Sequence, residues 1–342
     1  MTYTKDSEPG IAGLTVVLHS TAGVKSTSLA DWLPEMEHTP AWIPLTRSEG
    51  TIKVMAALSQ PGFYPTLMQT ICQQIGQSTA VEWQGRIYEL TGVEVDASAL
   101  HTLQIPISAA EPLPPTLGRA IHAQCFHWLS AADSALTERL HQQENFPLTL
   151  AIKPGSSRQQ MYLKIGLLQK ELLAPLLWGL SQDIGGEITL TGIPCRLGKW
   201  VEILQTNSFE ALSQVPPKKA IELQFLSPTS FKQAQVIQPF PLPELVFGNL
   251  LRRWNAFAPV ALQFPVVEWK GLTSAYELKT YALKMKGGAE IGTQGYVRYE
   301  FPAEQAAIAT VLAHFACFAG VGRKTAMGMG QTRLLSESRQ RD

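Results

Sequence analysis

The stretch Gly320-Val321-Gly322-Arg323-Lys324-Thr325-Ala326-Met327-Gly328-Met329-Gly330 holds four glycines in eleven residues, with two adjacent cations in the middle. An apolar segment of small residues, Ala306 to Ala319, precedes it and has the composition of a helix. Gln331 to Leu335 follows as a short strand. Glycine permits φ > 0 and close backbone approach, so a helix, glycine loop and strand carrying Arg-Lys suits a polyanion. The alternative is a tight connection with solvated cations. Spacing excludes two nucleotide loops. A P-loop needs Gly six positions before its Lys, where Lys324 has Phe318. A dinucleotide fingerprint follows a strand and needs a third Gly, where this chain has Thr325 after a helix.

The chain has 342 residues, 45% of them hydrophobic, enough for two or three domains with sizeable cores. It contains no apolar run of about 18 residues and its first ten residues are polar, so neither a membrane span nor a signal peptide is expected. Cys72, Cys125, Cys195 and Cys317 are scattered without a Cys-x-x-Cys pair, which fits a reducing cytoplasm and argues against a zinc site; no cofactor is expected. The net charge is +0, but residues 1–100 carry 5 basic and 10 acidic side chains, leaving a surplus of +5 on residues 101–342. The later part is the one suited to a nucleic acid.

Periodicity divides the first hundred residues into a strand (Gly13–Ser20), a short helix (Ser28–Met36), two strands (Ala41–Arg47, Thr51–Leu58), a helix (Tyr64–Ile75) and a hairpin (Val81–Val95) turning at Gln84-Gly85. That is the βαββαβ order of a ferredoxin-like unit. The pattern restarts with a strand at Thr102–Ser108. A Pro-rich turn at 111–115 then leads to helices near Thr116–Ala131 and Ser134–Gln143. Strands Leu148–Ile152 and Met161–Leu167, an apolar helix Glu171–Leu180 and a hairpin within Glu187–Leu204 complete it. The run Tyr162–Ile203 echoes Thr51–Val95 in element order, as an internal duplication would. After a strand at Ile221–Ser227 and a Pro-rich linker at 239–243 come a helix, Glu244–Phe257, with Arg252 and Arg253, and strands around Val266, Leu278–Met285 and Gly295–Phe301. The expected class is α+β with antiparallel sheets, divided as an acidic extension (1–100), a first domain (101–238) and a second (239–342).

The glycine loop resembles that of the RAMP superfamily, the RNA-binding proteins of CRISPR systems, and its exact form is most similar to the repeat-cleaving endoribonucleases of the Cas6 family. Further segments match in order. They are Leu113-Pro114-Pro115-Thr116-Leu117-Gly118-Arg119-Ala120-Ile121-His122, the helix Ala132 to His141, the strand Phe225 to Phe231, Leu250-Leu251-Arg252-Arg253-Trp254-Asn255, and Gly295-Tyr296-Val297. The resemblance covers residues 101–342 and implies tandem ferredoxin-like domains that bind CRISPR repeat RNA as precursor and as mature product. It implies metal-independent cleavage, in which a ribose 2′-hydroxyl attacks the adjoining phosphate to leave a cyclic phosphate and a 5′-hydroxyl. Such chemistry needs a base, an acid and a cation, and histidine suits both proton-transfer roles.

The family's key histidine corresponds to His141, with His122 and Arg119 supplying a second imidazole and a cation; His127 is an additional candidate. Gly320, Gly322, Arg323, Lys324, Gly328 and Gly330, with Arg252 and Arg253, are the expected RNA contacts. Two departures stand out: Phe126 replaces a Tyr found in some members, and no Lys follows His141 before Lys153. They leave open the alternative of a non-cutting RAMP subunit that binds guide RNA in an effector complex. Residues 1–100 lie outside the resemblance. Docking of effector-complex proteins is the role open to them, and their removal is expected to spare cleavage.

Overall fold

A computed structural model describes residues 10–22, 25–45, 51–77, 80–114, 117–285 and 288–335. The expected strand residues at 46–47 and the turn and helix residues at 115–116 lie outside these.

Three sheets follow one another along the chain, and the same strand order recurs in each. The first is built from β1 (Gly13–Ser20), β2 (Ser26–Ser28), β3 (Ala41–Pro44), β4 (Thr51–Ala57), β5 (Ala80–Trp83) and β6 (Arg86–Asp96), with helix α1 (Tyr64–Gly76) between β4 and β5. Its order is β2-β5-β6-β1-β4-β3. The second contains β7 (Leu100–Ala109), helices α2 (Leu117–Ala132) and α3 (Ser134–Gln142), β8 (Leu148–Pro154), β9 (Gln160–Leu167), helix α4 (Leu173–Ser181), β10 (Glu187–Leu190), β11 (Ile193–Leu197) and β12 (Glu202–Asn207). Its order is β10-β11-β7-β9-β8, with β12 also paired to β7. The short helix α5 (Phe209–Ser213) leads to β13 (Ala220–Thr229), a small β14–β15 ribbon (Phe231–Gln233, Val236–Gln238) and helix α6 (Pro243–Phe257). Then come the long hairpin β16 (Leu272–Met285) and β17 (Gly288–Glu300), helix α7 (Ala303–Ala319) and β18 (Thr332–Leu334). The third sheet is β16-β17-β13-β18.

Numbering the core strands of each unit in chain order gives 4-1-3-2 three times: β6-β1-β4-β3, β11-β7-β9-β8 and β18-β13-β17-β16. This is the ferredoxin-like arrangement. The echo of Thr51–Val95 in Tyr162–Ile203 is therefore matched in space, since β4-α1-β5-β6 and β9-α4-β10-β11 occupy equivalent places. Because β13 belongs to the third sheet, that sheet begins ahead of the Pro-rich linker at 239–243.

The first unit lacks one of the two helices expected of it. Ser28–Met36 forms the end of β2 and a run of turns, in which Asp31 N–H donates to Ser28 O at 3.0 Å. Pro34 disfavours helical geometry at the residue before it, leaving too short a run to nucleate a helix. Leu29 and Trp32 are nonetheless buried and cover the sheet as a helix would. Nor does a strand form around Val266, which stands almost wholly exposed.

Helix α4 explains how the first unit is attached. Leu173, Ala174, Leu176, Leu177 and Leu180 are all buried, so the helix is apolar all round rather than on one face. One side packs on the second sheet and α2. The other lies against the first unit, whose Met55, Ala57, Ile43 and Leu45 join the second unit's core while Ala174 joins that of the first. The joint between the two units is tied by Asp96 at the end of β6, which shares a 2.9 Å hydrogen bond with the fully buried His101 and accepts from Ser98 N–H at 2.8 Å. Among the described residues no helix is long and apolar enough to cross a membrane.

The burial of α4 bears against the expectation that removing residues 1–100 spares cleavage. A chain starting at residue 99 should expose α4 and aggregate on size-exclusion chromatography; a monodisperse, cooperatively melting truncation would contradict this. The joint should also show in pH dependence. Burial alone would raise the Asp96 pKa, but the hydrogen bond and charge of His101, with Ser98, hold it below the usual value. A depressed carboxylate contributes stability above its unfolded pKa, near 4, and loses it as pH falls through the folded value. Asp96→Asn should therefore lower the unfolding free energy by about 1–3 kcal/mol at pH 7. The gap from the parent should close below pH 4, as measured by urea melts.

Candidate nucleic-acid and catalytic site

The second and third units meet at the first turn of α2. A Cβ on Gly118 would lie 2.0 Å from Met327 O, so only glycine lets the two backbones touch there. Arg119 is exposed on this turn and His122 sits one turn further on, half-buried. Helix α3 then doubles back from a cap in which Leu136 N–H donates to Asp133 Oδ1 at 2.9 Å. Its last turn carries His141 back to α2. Both imidazoles contact Phe126. Its ring stacks on His141 at 4.2 Å and 20°, and tilts against His122 at 4.7 Å. Phe146, just beyond α3, stacks on Phe126 at 5.2 Å and also faces His122.

The position occupied by Phe126 is thus a spacer that holds two histidines on one aromatic ring. It contributes no hydroxyl. Burial, then the positive charges of His141 and Arg119, lower the His122 pKa below its ordinary 6.5. The lowered pKa favours the neutral imidazole, the form that accepts a proton. His127 is exposed and stands outside these ring contacts.

The glycine loop begins where α7 ends at Gly320 (φ 64°) and closes on itself, with Val321 N–H donating to Gly330 O at 2.8 Å. Its outer wall is β13 and the residue after it: Arg323 N–H donates to Ser230 O and Gly330 N–H to Pro228 O. Asn249 Oδ1 accepts from Gly322 N–H at 2.9 Å. Gly320, Gly322 and Gly330 serve this packing. A Cβ at Gly322 would meet Ser230 O at 2.4 Å, and one at Gly330 would meet Val321 O at 2.1 Å. Gly320 is similarly enclosed, and only Gly328 faces open space.

Arg253 is the clearest correction. It is 7% exposed and its guanidinium faces inward, donating to Ala319 O, to Thr325 Oγ1 at 2.9 Å and to Phe146 O at 3.4 Å. It braces the loop instead of meeting RNA. Burial, with the neighbouring Arg252, pushes its pKa down to about 10, which leaves it charged at pH 7. Arg252 points outward, beside a cleft of about 720 Å³ lined also by Asn145, Asn255 and Trp269. Arg323 and Lys324 are half-buried at the loop's crest and share Glu290 of β17, with Arg323 Nη1 at 3.1 Å from Oε2 and Lys324 Nζ on Oε1. Lys324 itself adopts a left-handed backbone (φ 54°). The hydrogen bond from Lys324 is the main reason that the Glu290 carboxyl is held below its usual range. Sequence reasoning missed Glu290, Asn249 and Phe146. Only Asn249, beside Leu250-Leu251-Arg252-Arg253, adjoined a segment already singled out. Among the described residues no three His, Cys, Asp or Glu groups are placed to hold a metal ion.

Three ferredoxin-like units are thus assembled, with a cationic glycine loop seated on a histidine-bearing helix. Residues 223–332 match the sequence model of the family described as CRISPR-associated endoribonuclease Cas6. A product complex of Cas6 (TTHA0078) is 27% identical over 69% of this chain and all of its own, with a TM-score of 0.58. Thermus thermophilus Cas6 (TTHB231) is 25% identical over 70% of this chain and all of its own, at a TM-score of 0.54. Its product complex reaches 0.62 at 24% identity, over 70% of this chain and all of its own, which bears on the fold alone. No curated protein matches the chain by sequence.

The packing predicts unequal glycine effects. Gly322→Val should lower stability and RNA affinity more than Gly328→Ala, because the first clashes with backbone while the second adds only left-handed strain. Equal melting temperatures for the two variants would contradict this. Arg253→Met should cost about 2–3 kcal/mol in urea unfolding, since it strands the Ala319 carbonyl and the Thr325 hydroxyl; an unchanged midpoint would show that the brace is dispensable.

Proposed function

We propose that this protein cleaves CRISPR repeat RNA, processing the precursor transcript into guide RNA, and that the cut is made at the histidine cluster without a metal ion. The observation that carries the reading is the contact of His122 and His141 with the one Phe126 ring, beside Arg119, on a helix whose Gly118 touches the Met327 backbone of the glycine loop. The neutral His122 takes the proton of the ribose 2′-hydroxyl as that oxygen bonds to phosphorus. The bond from phosphorus to the 5′-oxygen breaks, and His141 in its protonated form supplies the proton to the leaving oxygen. Arg119 neutralises charge on the non-bridging oxygens. The products are a 2′,3′-cyclic phosphate and a 5′-hydroxyl, with all atoms and protons accounted for. The loop cations hold flanking phosphates.

A second reading, a binding subunit of an effector complex that does not cut, is favoured by two features. Phe126 carries no hydroxyl, and no lysine follows His141 before Lys153. Labelled repeat RNA with analysis of product ends separates the two. Cleavage to a cyclic phosphate that survives chelator and stops with a 2′-deoxyribose at the cut supports the enzyme. Tight binding with no cut supports the subunit.

His141→Ala should abolish cleavage and leave RNA affinity nearly unchanged, and His122→Ala should slow it by ~10²–10⁴-fold. The lowered His122 pKa places the acid limb of the rate profile below pH 6.5. Arg119→Ala should move that limb upward by removing a nearby positive charge. A limb indifferent to Arg119 would remove His122 from the role of base.

A further inference from the structure

The histidine cluster lies where the second and third units meet. A separate cleft of about 450 Å³ opens where the first and second units meet, lined by Trp83, Gln84, Lys199, Trp200, Pro44 and Ile52. That volume lies within the range of small-ligand pockets, roughly 300–1,000 Å³.

Its walls are unusual for a joint between units. Trp200 is 45% exposed although tryptophan is normally well buried, and Trp83 is half-buried across the same space. The loop that carries Lys199 and Trp200 is pinned on both sides. Gly198 N–H donates to Pro106 O at 2.7 Å, and Val201 N–H to Pro44 O at 2.9 Å. Leu45 and Val201 form a bridge that carries the edge of the first sheet onto this loop. Trp200 is thus held out on a fixed backbone. On the opposite wall, Gln84 lines the cleft from the two-residue β5–β6 turn, whose tight hairpin geometry requires its left-handed backbone (φ 51°). Charge matters as well. Residues 1–100 carry a net −5, yet among the described residues no carboxylate lines this cleft and its one charged lining group is Lys199.

Two indole faces, an amide and a single cation make a chemistry suited to an unpaired nucleotide. The aromatic rings stack on a base of any identity, the amide meets its polar edge, and the ammonium meets a phosphate. We propose that this cleft is a second RNA-binding site, which takes unpaired nucleotides of the RNA whose repeat is held at the histidine cluster. The first unit, beyond clamping α4, would then lengthen the RNA footprint. This inference rests on the proposed function, because it requires that repeat RNA be bound at all.

The test compares repeat RNA with and without its single-stranded flanks on the full chain. The parent should bind the flanked RNA more tightly. Trp200→Ala, Trp83→Ala and Lys199→Gln should each erode that advantage, with about 5- to 100-fold loss for either tryptophan. Affinity for the trimmed RNA and the cleavage rate at saturation should stay at parental values. Trp200→Phe should retain most of the advantage, since it keeps a stacking face. Unchanged affinity for flanked RNA in the tryptophan variants would overturn the assignment. So would an equal loss for both RNAs, which would mark the tryptophans as structural. If the parent neither binds nor cuts repeat RNA of either length, the proposed function fails, and the second site with it.

Discussion

One buried guanidinium ties the site together. Arg253 leaves the last turns of α6 and spends its donors on three carriers of function: the end of α7 at Ala319, the loop's internal corner at Thr325, and Phe146 of the aromatic stack. A buried cation costs much unless hydrogen-bonded, and carbonyl and hydroxyl oxygens meet that need without a counter-charge. The second unit's histidines and the third unit's loop are thereby fixed to one rigid group. Thr149, whose hydroxyl donates to Phe318 O at 2.9 Å, adds a second tie across the same junction.

The larger architecture repeats one solution three times and varies the helices. In the third unit α6 and α7 complete the arrangement. In the second, α2 and α3 replace a single helix, and the turn back between them is what returns His141 to His122. In the first, Leu29 and Trp32 cover the sheet without a helix, so that unit has no equivalent of the α2–α3 turn. The sheet of this unit finds its second cover in α4, which explains why a nine-residue helix carries almost no polar side chain.

Much of this was legible in the chain. Strand periodicity located β1, β9 and β13, and the echo between Thr51–Val95 and Tyr162–Ile203 foretold equivalent places in two sheets. The i, i+4 spacing of His122 and Phe126 fits their contact on one helix face. Three things were not legible, each for a physical reason. Arg252 and Arg253 are adjacent cations on a helix, and only the hundred-degree turn between them decides that one is solvated and the other buried. The Ser28–Met36 segment has helical composition, but Pro34 and tertiary burial of Leu29 and Trp32 prevail over that preference. Glu290 lies thirty-odd residues from the cations it pairs with, and a single acidic residue in a strand carries no mark of its partner.

That carboxylate makes the crest of the loop an ion exchanger already loaded with a counter-ion. In the proposed role, a phosphate arriving at Arg323 and Lys324 competes with Glu290, so the gain is a difference between two anions and not the full attraction of two free cations. A lone inorganic ion, arriving with its own hydration, gains little from the swap. A polyphosphate backbone that meets Arg119 and the loop at once gains at several points together, and the exchange then runs toward the polymer.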